Sequence, residues 1–460
     1  MRLLPGLLCL LATVACSDDT KVRHLPDAPP PPLDALDAST AGPVTLTITE
    51  GGTPIPGVEV IFQDADSTVV LETTTGTNGV ASATMDAGGY VTAIQPFLNT
   101  PQGIAQADLR TFVGVKPGDQ LQLRQPGEQP GVNVTFAGPM DPNAFSYFLY
   151  TSCGAQDISG PNGSGSAPGG PVTLFGCGPM IDVILETRDF SGAKLRQIVE
   201  QNIPVTEGTT IDLTARTYTP VPAATFSYAN LPATVTSVGV SHHLVTPRGP
   251  LLAVFTTQDV VAGAASASIE RPTVTGATMV TTSELLGSSS TRHTVVEWGP
   301  ASDAYSFDGA GALLPELTSA ASLSIPDHRI SWTSAAGAQA ADLVRLSIGL
   351  TRETPALQSW RWQIVAPAAG SAVVLPVLPG APARFNPVAG DVPNRTQLVV
   401  AKVPGGYDAV RASVLAVDGI SELAVGASGR ALFATFLDSQ NFLQRWQPAW
   451  PFSVLKTHHR

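Results

Sequence analysis

Charge is scarce in this chain. Only 13% of its 460 residues are Asp, Glu, Lys or Arg, against a usual quarter. The 25 lysines and arginines are scattered singly among 37 acids, a net charge of −12, so no basic groove forms and nucleic acid is excluded as a partner. Long apolar runs are missing too. After residue 15 no stretch reaches the roughly 18 apolar residues that a membrane helix needs, so no later span is expected. There is no HExxH, no GxSxG elbow, no P-loop and no GxGxxG. Of seven histidines only His24 precedes residue 242, and His458 and His459 stand in the last three positions. His242 and His243 are adjacent, so in a strand they face opposite sides and cannot chelate one metal together. No metal and no cofactor are expected.

Glycine and proline are abundant instead, 43 and 40 residues, and 43% of the chain is apolar, much of it in short β-branched runs. That combination predicts many strands separated by turns, hence an all-β protein of tandem β-sandwich domains. In PVTLTITEGG, Val44, Leu46 and Ile48 alternate with Thr45, Thr47 and Thr49, the two-residue period of a strand with one buried face. PIPGVEVIF then places Val58, Val60 and Phe62 on one face, and Asn78-Gly79 is a strong hairpin signal. The stretches 43–126 and 131–219 read as one sandwich each, with Gly208 as a hairpin leading to the last edge of the second. Beyond residue 220 a soft boundary near Ala320 divides 220–320 from 321–460; a single β-domain of about 240 residues is the alternative.

Within 43–126 the order of residues resembles a known family. A strand is followed by Pro54 and Pro56 to Val60, a polar turn with Asp64 and Asp66, then Thr74, Gly76, Gly79 and Val80, and a Gly88 to Val91 ending. This is similar to the carboxypeptidase regulatory-like domain, a prealbumin-like sandwich, and to its bacterial Ig-like relatives. The resemblance implies an accessory module and no activity. Asp64 and Asp66 read as a solvated turn, because a calcium site needs six or more oxygens.

The N-terminus places the rest of the chain. Arg2 precedes an apolar run from Leu3 to Ala15, the length of a signal peptide (1–15), and Cys16 follows at once. Thr13, Val14, Ala15 and Cys16 resemble the lipobox of bacterial lipoproteins, with threonine where leucine is usual. The resemblance implies cleavage before Cys16, an acylated cysteine of the palmitate type, and attachment to the membrane through that lipid. Ser17 after the cysteine resembles sorting to the outer membrane of the cell envelope. A secretory signal with an incidental cysteine is the alternative. Residues 16–42 carry five aspartates and the run Pro29 to Pro32, a tether rather than a core. Cys9 goes with the signal, which leaves Cys153 and Cys177 as the pair in the folded body, and in an exported protein they are expected to form a disulfide.

All six tryptophans lie between Trp298 and Trp450. Trp360 and Trp362 share strand parity and most simply enter a core. As exposed rings, Trp298, Trp332, Trp360 and Trp362, with Trp446 and Trp450, would instead form a carbohydrate platform. Glu297 beside Trp298, with Asp303 and Asp308, is the densest group of acids near aromatics, a loose glycosidase-like pattern. The expectation is a non-enzymatic surface scaffold or adhesin-like binder whose partner is an envelope protein or polysaccharide. A carbohydrate-binding or carbohydrate-processing lipoprotein is the alternative.

Overall fold

The computed structural model describes residues 41–97, 105–125, 130–159, 166–288, 291–335, 339–354, 357–414 and 428–436. The signal stretch, Cys16, the tether up to residue 40, Trp446 and Trp450 lie outside them. Strands dominate: the helical elements among the described residues are a 3-10 turn, Ala381–Phe385, and a five-residue helix, Gly406–Val410. The chain is all-β, built of several sheets stacked as sandwich-like layers, and the two-residue periods of the sequence are the cause.

One sheet organises the rest. Its twelve strands run in the order Gly249–Asp259, Val235–Thr246, Thr278–Gly287, Thr291–Pro300, Gly429–Phe436, Val392–Lys402, Leu343–Arg352, Gln358–Pro367, Ala105–Val115, Gly89–Phe97, Glu59–Gln63, Val69–Thr74. Strands from 43–126, 220–320 and 321–460 are therefore hydrogen-bonded into a single surface. The seam between the first and last of these stretches is a parallel pairing of Ala105–Val115 with Gln358–Pro367. It is riveted by side chains: Trp362 Nε1 donates to Thr111 Oγ1 at 2.8 Å, and Arg361 Nε and Nη2 donate to the Asp108 carboxylate at 2.9 and 2.5 Å.

Each face of this sheet has a cover. On one side, Gly42–Glu50, Val80–Met85 and Gln120–Gln125 form a smaller sheet whose Val44, Leu46 and Ile48 pack against Val60, Phe62, Val91 and Phe112. On the other, Ala223–Ala229 with its neighbours and the short strands Ser322–Ser324, Arg329–Ser331 and Ala372–Val374 enclose a core with Phe226, Phe307, Trp332, Trp360 and Trp362. Ile61 points into the second core while Val60 and Phe62 point into the first, which is why this strand is apolar on both parities.

The stretch 131–219 keeps a core of its own, with Phe136, Tyr147, Leu149, Ile181, Val183 and Leu185 between a five-stranded and a three-stranded sheet. Cys153 and Cys177 are disulfide-bonded, with Cα atoms 5.2 Å apart. Cys153 stands in the turn after Ser146–Thr151 and Cys177 follows Gly169–Phe175, so the bond ties the two layers at one end of the sandwich. Tyr150 and Ile184 pack on Leu244 and Leu251 and join this sandwich to the large sheet.

Two turn signals act differently from the sequence reading. Neither Asn78-Gly79 nor Gly208 closes a hairpin. Val69–Thr74 pairs with Glu59–Gln63, whereas Val80–Met85 pairs with Gly42–Glu50, so the Asn78-Gly79 turn carries the chain from one layer to the other. Gly79 has φ +71°, and a Cβ there would stand 2.5 Å from the Ile48 carbonyl oxygen. Gly208, φ +77°, likewise sends Thr210–Asp212 across to pair in parallel with Gly131–Ala137 rather than back along Lys194–Pro204. Both glycines provide the positive φ that a turn needs, while the partner of the next strand is set by which layer lacks one.

Candidate functional site

The four tryptophans proposed as a ligand platform are core residues. Trp298, Trp332, Trp360 and Trp362 retain 5, 6, 2 and 0% of their accessible surface. Trp360 packs on Phe385 with ring centroids 6.1 Å apart, and the Arg352 guanidinium lies 5.1 Å from its ring centre. Trp332, Trp360 and Trp362 lie in the core beneath the covering segments of 223–331 and 372–385, and Trp298 in the opposite core on the small-sheet side, so burial corrects the expectation of a platform.

The acids near Trp298 are not aimed at one another. Glu297 accepts from the Tyr305 hydroxyl and from Arg430, Asp303 pairs with Arg271 at 2.9 Å, and Asp308 accepts from Asn230 Nδ2 at 3.0 Å. Each carboxylate is occupied by a different partner, so the glycosidase-like pattern dissolves into three separate fastenings. His242 stands edge-on to Phe226, 5.3 Å between centroids, with Nδ1 3.3 Å from Thr281 Oγ1, and His243 Nε2 lies 2.9 Å from Ser241 Oγ. Burial, then the positive charge of Arg271, pushes His242 down to about 3, and burial pushes His243 down to about 4, so both rings are neutral core residues at pH 7. The His293 imidazole is also held below its ordinary value by burial. Asp66 accepts from the Thr68 amide at 2.9 Å and closes the expected turn. Among the described residues no group of three or more His, Cys, Asp or Glu is placed to hold a metal ion.

Among the described residues one open concavity is polar and lies on the large sheet. Directly paired residues share a face, so the register identifies its members. Ser347 pairs with Gln363 on one side and Gln397 on the other; Gly349 pairs with Arg361, and Arg361 with Asp108. Further along the same face the strands carry Leu343, Val365, Phe112 and Ala401, which are covered by the small sheet and by Tyr407 of the short helix. The cover stops where the side chains turn polar. Beyond it lies a groove of about 370 Å³ whose floor includes Gly349 and whose walls include Arg345, Ser347, Arg361, Gln363 and Gln397.

Arg361 is half exposed while its partner Asp108 is buried. The carboxylate takes Nε and Nη2 and fixes the plane of the guanidinium, and the Nη1 donors are left for the groove. The parity of LVRLSIGLTR and QSWRWQIVAP already set Arg345, Ser347 and Gly349 on one side and Arg361 and Gln363 on another. No signal within either segment says that these sides become one face.

No family model matches the chain, and no curated protein matches it in sequence. Among solved structures it is similar to the Bacillus anthracis TIE protein, at 10% identity and a TM-score of 0.15 over 54% of this chain. The chain spans about half the length of that protein, 46% of it. It is also similar to a tetra-tandem repeat in the extending region of a large adhesion protein, at 12% identity and a TM-score of 0.13, covering 79% of this chain and 95% of that one. The pilus adhesin SpaC from Lactobacillus rhamnosus GG gives 11% identity and a TM-score of 0.11, with 74% and 44% covered. Likenesses this faint carry no argument about function.

Proposed function

We propose that the protein is a non-enzymatic lipoprotein of the cell envelope, a surface scaffold with an adhesin-like binding role, held to the membrane through Cys16. The observation that carries this reading is where the polar chemistry stands: His242, His243 and His293 are buried in the core, Glu297, Asp303 and Asp308 are each held by a different partner, and a polar face of the large sheet is left open as a groove. A rigid sheet with an open polar face is fitted to hold a partner rather than to transform one. The leader and the Asp- and Pro-rich stretch that follows Cys16 support export and display at a distance from a lipid surface. On this reading 43–126 is a carboxypeptidase regulatory-like accessory module built into a larger body, and the outer membrane is the destination. More than one acyl chain on Cys16 makes the attachment stable, at about 0.8 kcal/mol per buried CH₂.

The test is membrane partition. The native protein should enter the detergent phase, and Cys16→Ser should not acquire lipid. A chain with an ordinary secretory signal fused at Ser17 should be soluble, folded and monodisperse. If that fused protein stays on membranes after a high-salt wash, Cys16 is not the sole anchor and a membrane partner takes the place of the scaffold.

A further inference from the structure

We propose that the junction between the disulfide-bonded sandwich, 131–219, and the large sheet is released by acid, with His242 as the sensor. The sandwich is built to come away whole. Its two sheets share no strand with the twelve-stranded sheet, and its core is separate. What holds it in place is a small apolar contact, Tyr150 and Ile184 on Leu244, Leu251, Val274 and Ala277, with Phe148 and Val199 at its border. Side-chain hydrogen bonds cross the junction from Gln201 Nε2 to the Thr275 carbonyl at 3.1 Å and from Arg248 Nη2 to Asn202 Oδ1 at 2.9 Å. A small contact between two separately folded parts lets one move as a rigid body against the other.

His242 stands beside this contact. Leu244 follows two positions on along the same strand, and Val254, the register partner of His242, packs into both the junction core and the neighbouring core of Phe226. The ring is fully buried, edge-on to Phe226, with Nδ1 on Thr281 Oγ1, and its Nε2 meets no partner among the described residues. On an imidazolium both ring nitrogens are donors, and in the docked form the second N–H finds no acceptor there. The charges that face the ring also oppose protonation. Arg271, paired with the exposed Asp303, comes from the covering layer; His243 is the next residue of the strand; Lys194, paired with Glu186, comes from the sandwich. Burial is the largest effect, and with these charges it holds the docked ring at about 3. Undocking takes Lys194 away and lets water approach, so the undocked form takes up a proton more readily. The sign follows by linkage: docking is at full strength above the ordinary 6.5 and weakens as pH falls below it, by up to about tenfold per pH unit.

The experiment reads rare undocking by thiol labelling of the full mature chain, in detergent, with a dipyridyl disulfide reagent. Ala277→Cys puts a thiol beneath the contact, and Ala144→Cys puts one in the sandwich's own core. Each rate is divided by that of a free thiol at the same pH. Labelling of the Ala277→Cys protein should rise between pH 7 and 5, by up to about tenfold per unit below 6.5, while the Ala144→Cys protein stays slow. In His242→Gln and His242→Phe backgrounds, neutral at every pH, the rise should vanish. A corrected rate at position 277 that does not change with pH overturns the proposal, as does a rise that survives both substitutions. Equal acceleration at position 144 also overturns it, because the sandwich is then unfolding rather than leaving. None of these results bears on partition through Cys16, so the scaffold reading and the acid-released junction fail separately.

Discussion

Replacing Trp362 with Phe tests whether the N-terminal module and the C-terminal strands form one cooperative body. Trp362 is fully buried, and its indole N–H donates to Thr111 across the parallel seam. Thr111 keeps a second partner, Thr92 Oγ1 at 2.9 Å, so the substitution removes one buried hydrogen bond without orphaning the hydroxyl. That loss is about 1 kcal/mol. The missing part of the ring adds a packing deficit of about 1–2 kcal/mol, a fraction of the roughly 3–5 kcal/mol measured when a buried Trp or Phe becomes Ala. The sum, about 2–3 kcal/mol, spread over the unfolding entropy of a body of roughly 400 residues, lowers the melting temperature by about 2–4 °C. Hydrogen exchange is the sharper assay. Amides of Gly89–Phe97 and Ala105–Val115, more than 240 positions away in sequence, should exchange faster in the variant. If exchange rises only within Gln358–Pro367 and the melting curve splits into two transitions of which one is unmoved, the continuous sheet is not a cooperative unit and the reasoning fails.

Two further expectations concern pH and the disulfide. His242 and His243 have folded values depressed below the ordinary 6.5, so their contribution is fully present above that value and is lost as pH falls toward about 4, each histidine adding a slope of about 1.4 kcal/mol per pH unit. Urea midpoints between pH 7 and 4.5 should fall steadily, and His242→Phe should remove one histidine's share of the slope; an unchanged slope would show that other groups carry it. Converting both Cys153 and Cys177 to Ser opens a link across 24 positions and should cost about 3 kcal/mol. The loss should appear as faster exchange in 131–219 with the twelve-stranded sheet unaffected, because that sandwich has its own core; uniform acceleration through the chain would contradict the separation.

Much of the local structure was written in the residues. Alternation in PVTLTITE marked Val44, Leu46 and Ile48 for burial, and all three are fully buried. Trp360 and Trp362 share a face and enter a core, as their parity required. An isolated pair of cysteines behind a leader that reads as an export signal was enough to expect a bond between them, and they are bonded. These are properties of the chain within a few residues of itself: strand period, turn residues and the spacing of reactive groups.

Partnership was decided elsewhere. Asn78-Gly79 announces a turn, and the backbone at Gly79 obeys, but whether the chain returns to its previous strand or crosses to the next layer depends on where an unpaired edge and an uncovered apolar face stand. The parallel pairing of Ala105–Val115 with Gln358–Pro367 joins segments some 250 residues apart, and nothing within either strand names the other. The same holds for the tryptophans, whose parity is local but whose depth depends on the layers laid over them, the segments 223–331 and 372–385 over Trp332, Trp360 and Trp362 and the small-sheet side for Trp298. It holds most of all for the groove. Sequence alone determined that Arg345, Ser347 and Gly349 lie on one side of a strand, and that Arg361 and Gln363 do so on another. Only the tertiary pairing made those sides a single face, and only the point where the small sheet ends left its polar part open to solvent, because hydrogen-bond register and the reach of a covering layer are properties of the assembled sheets and not of any strand.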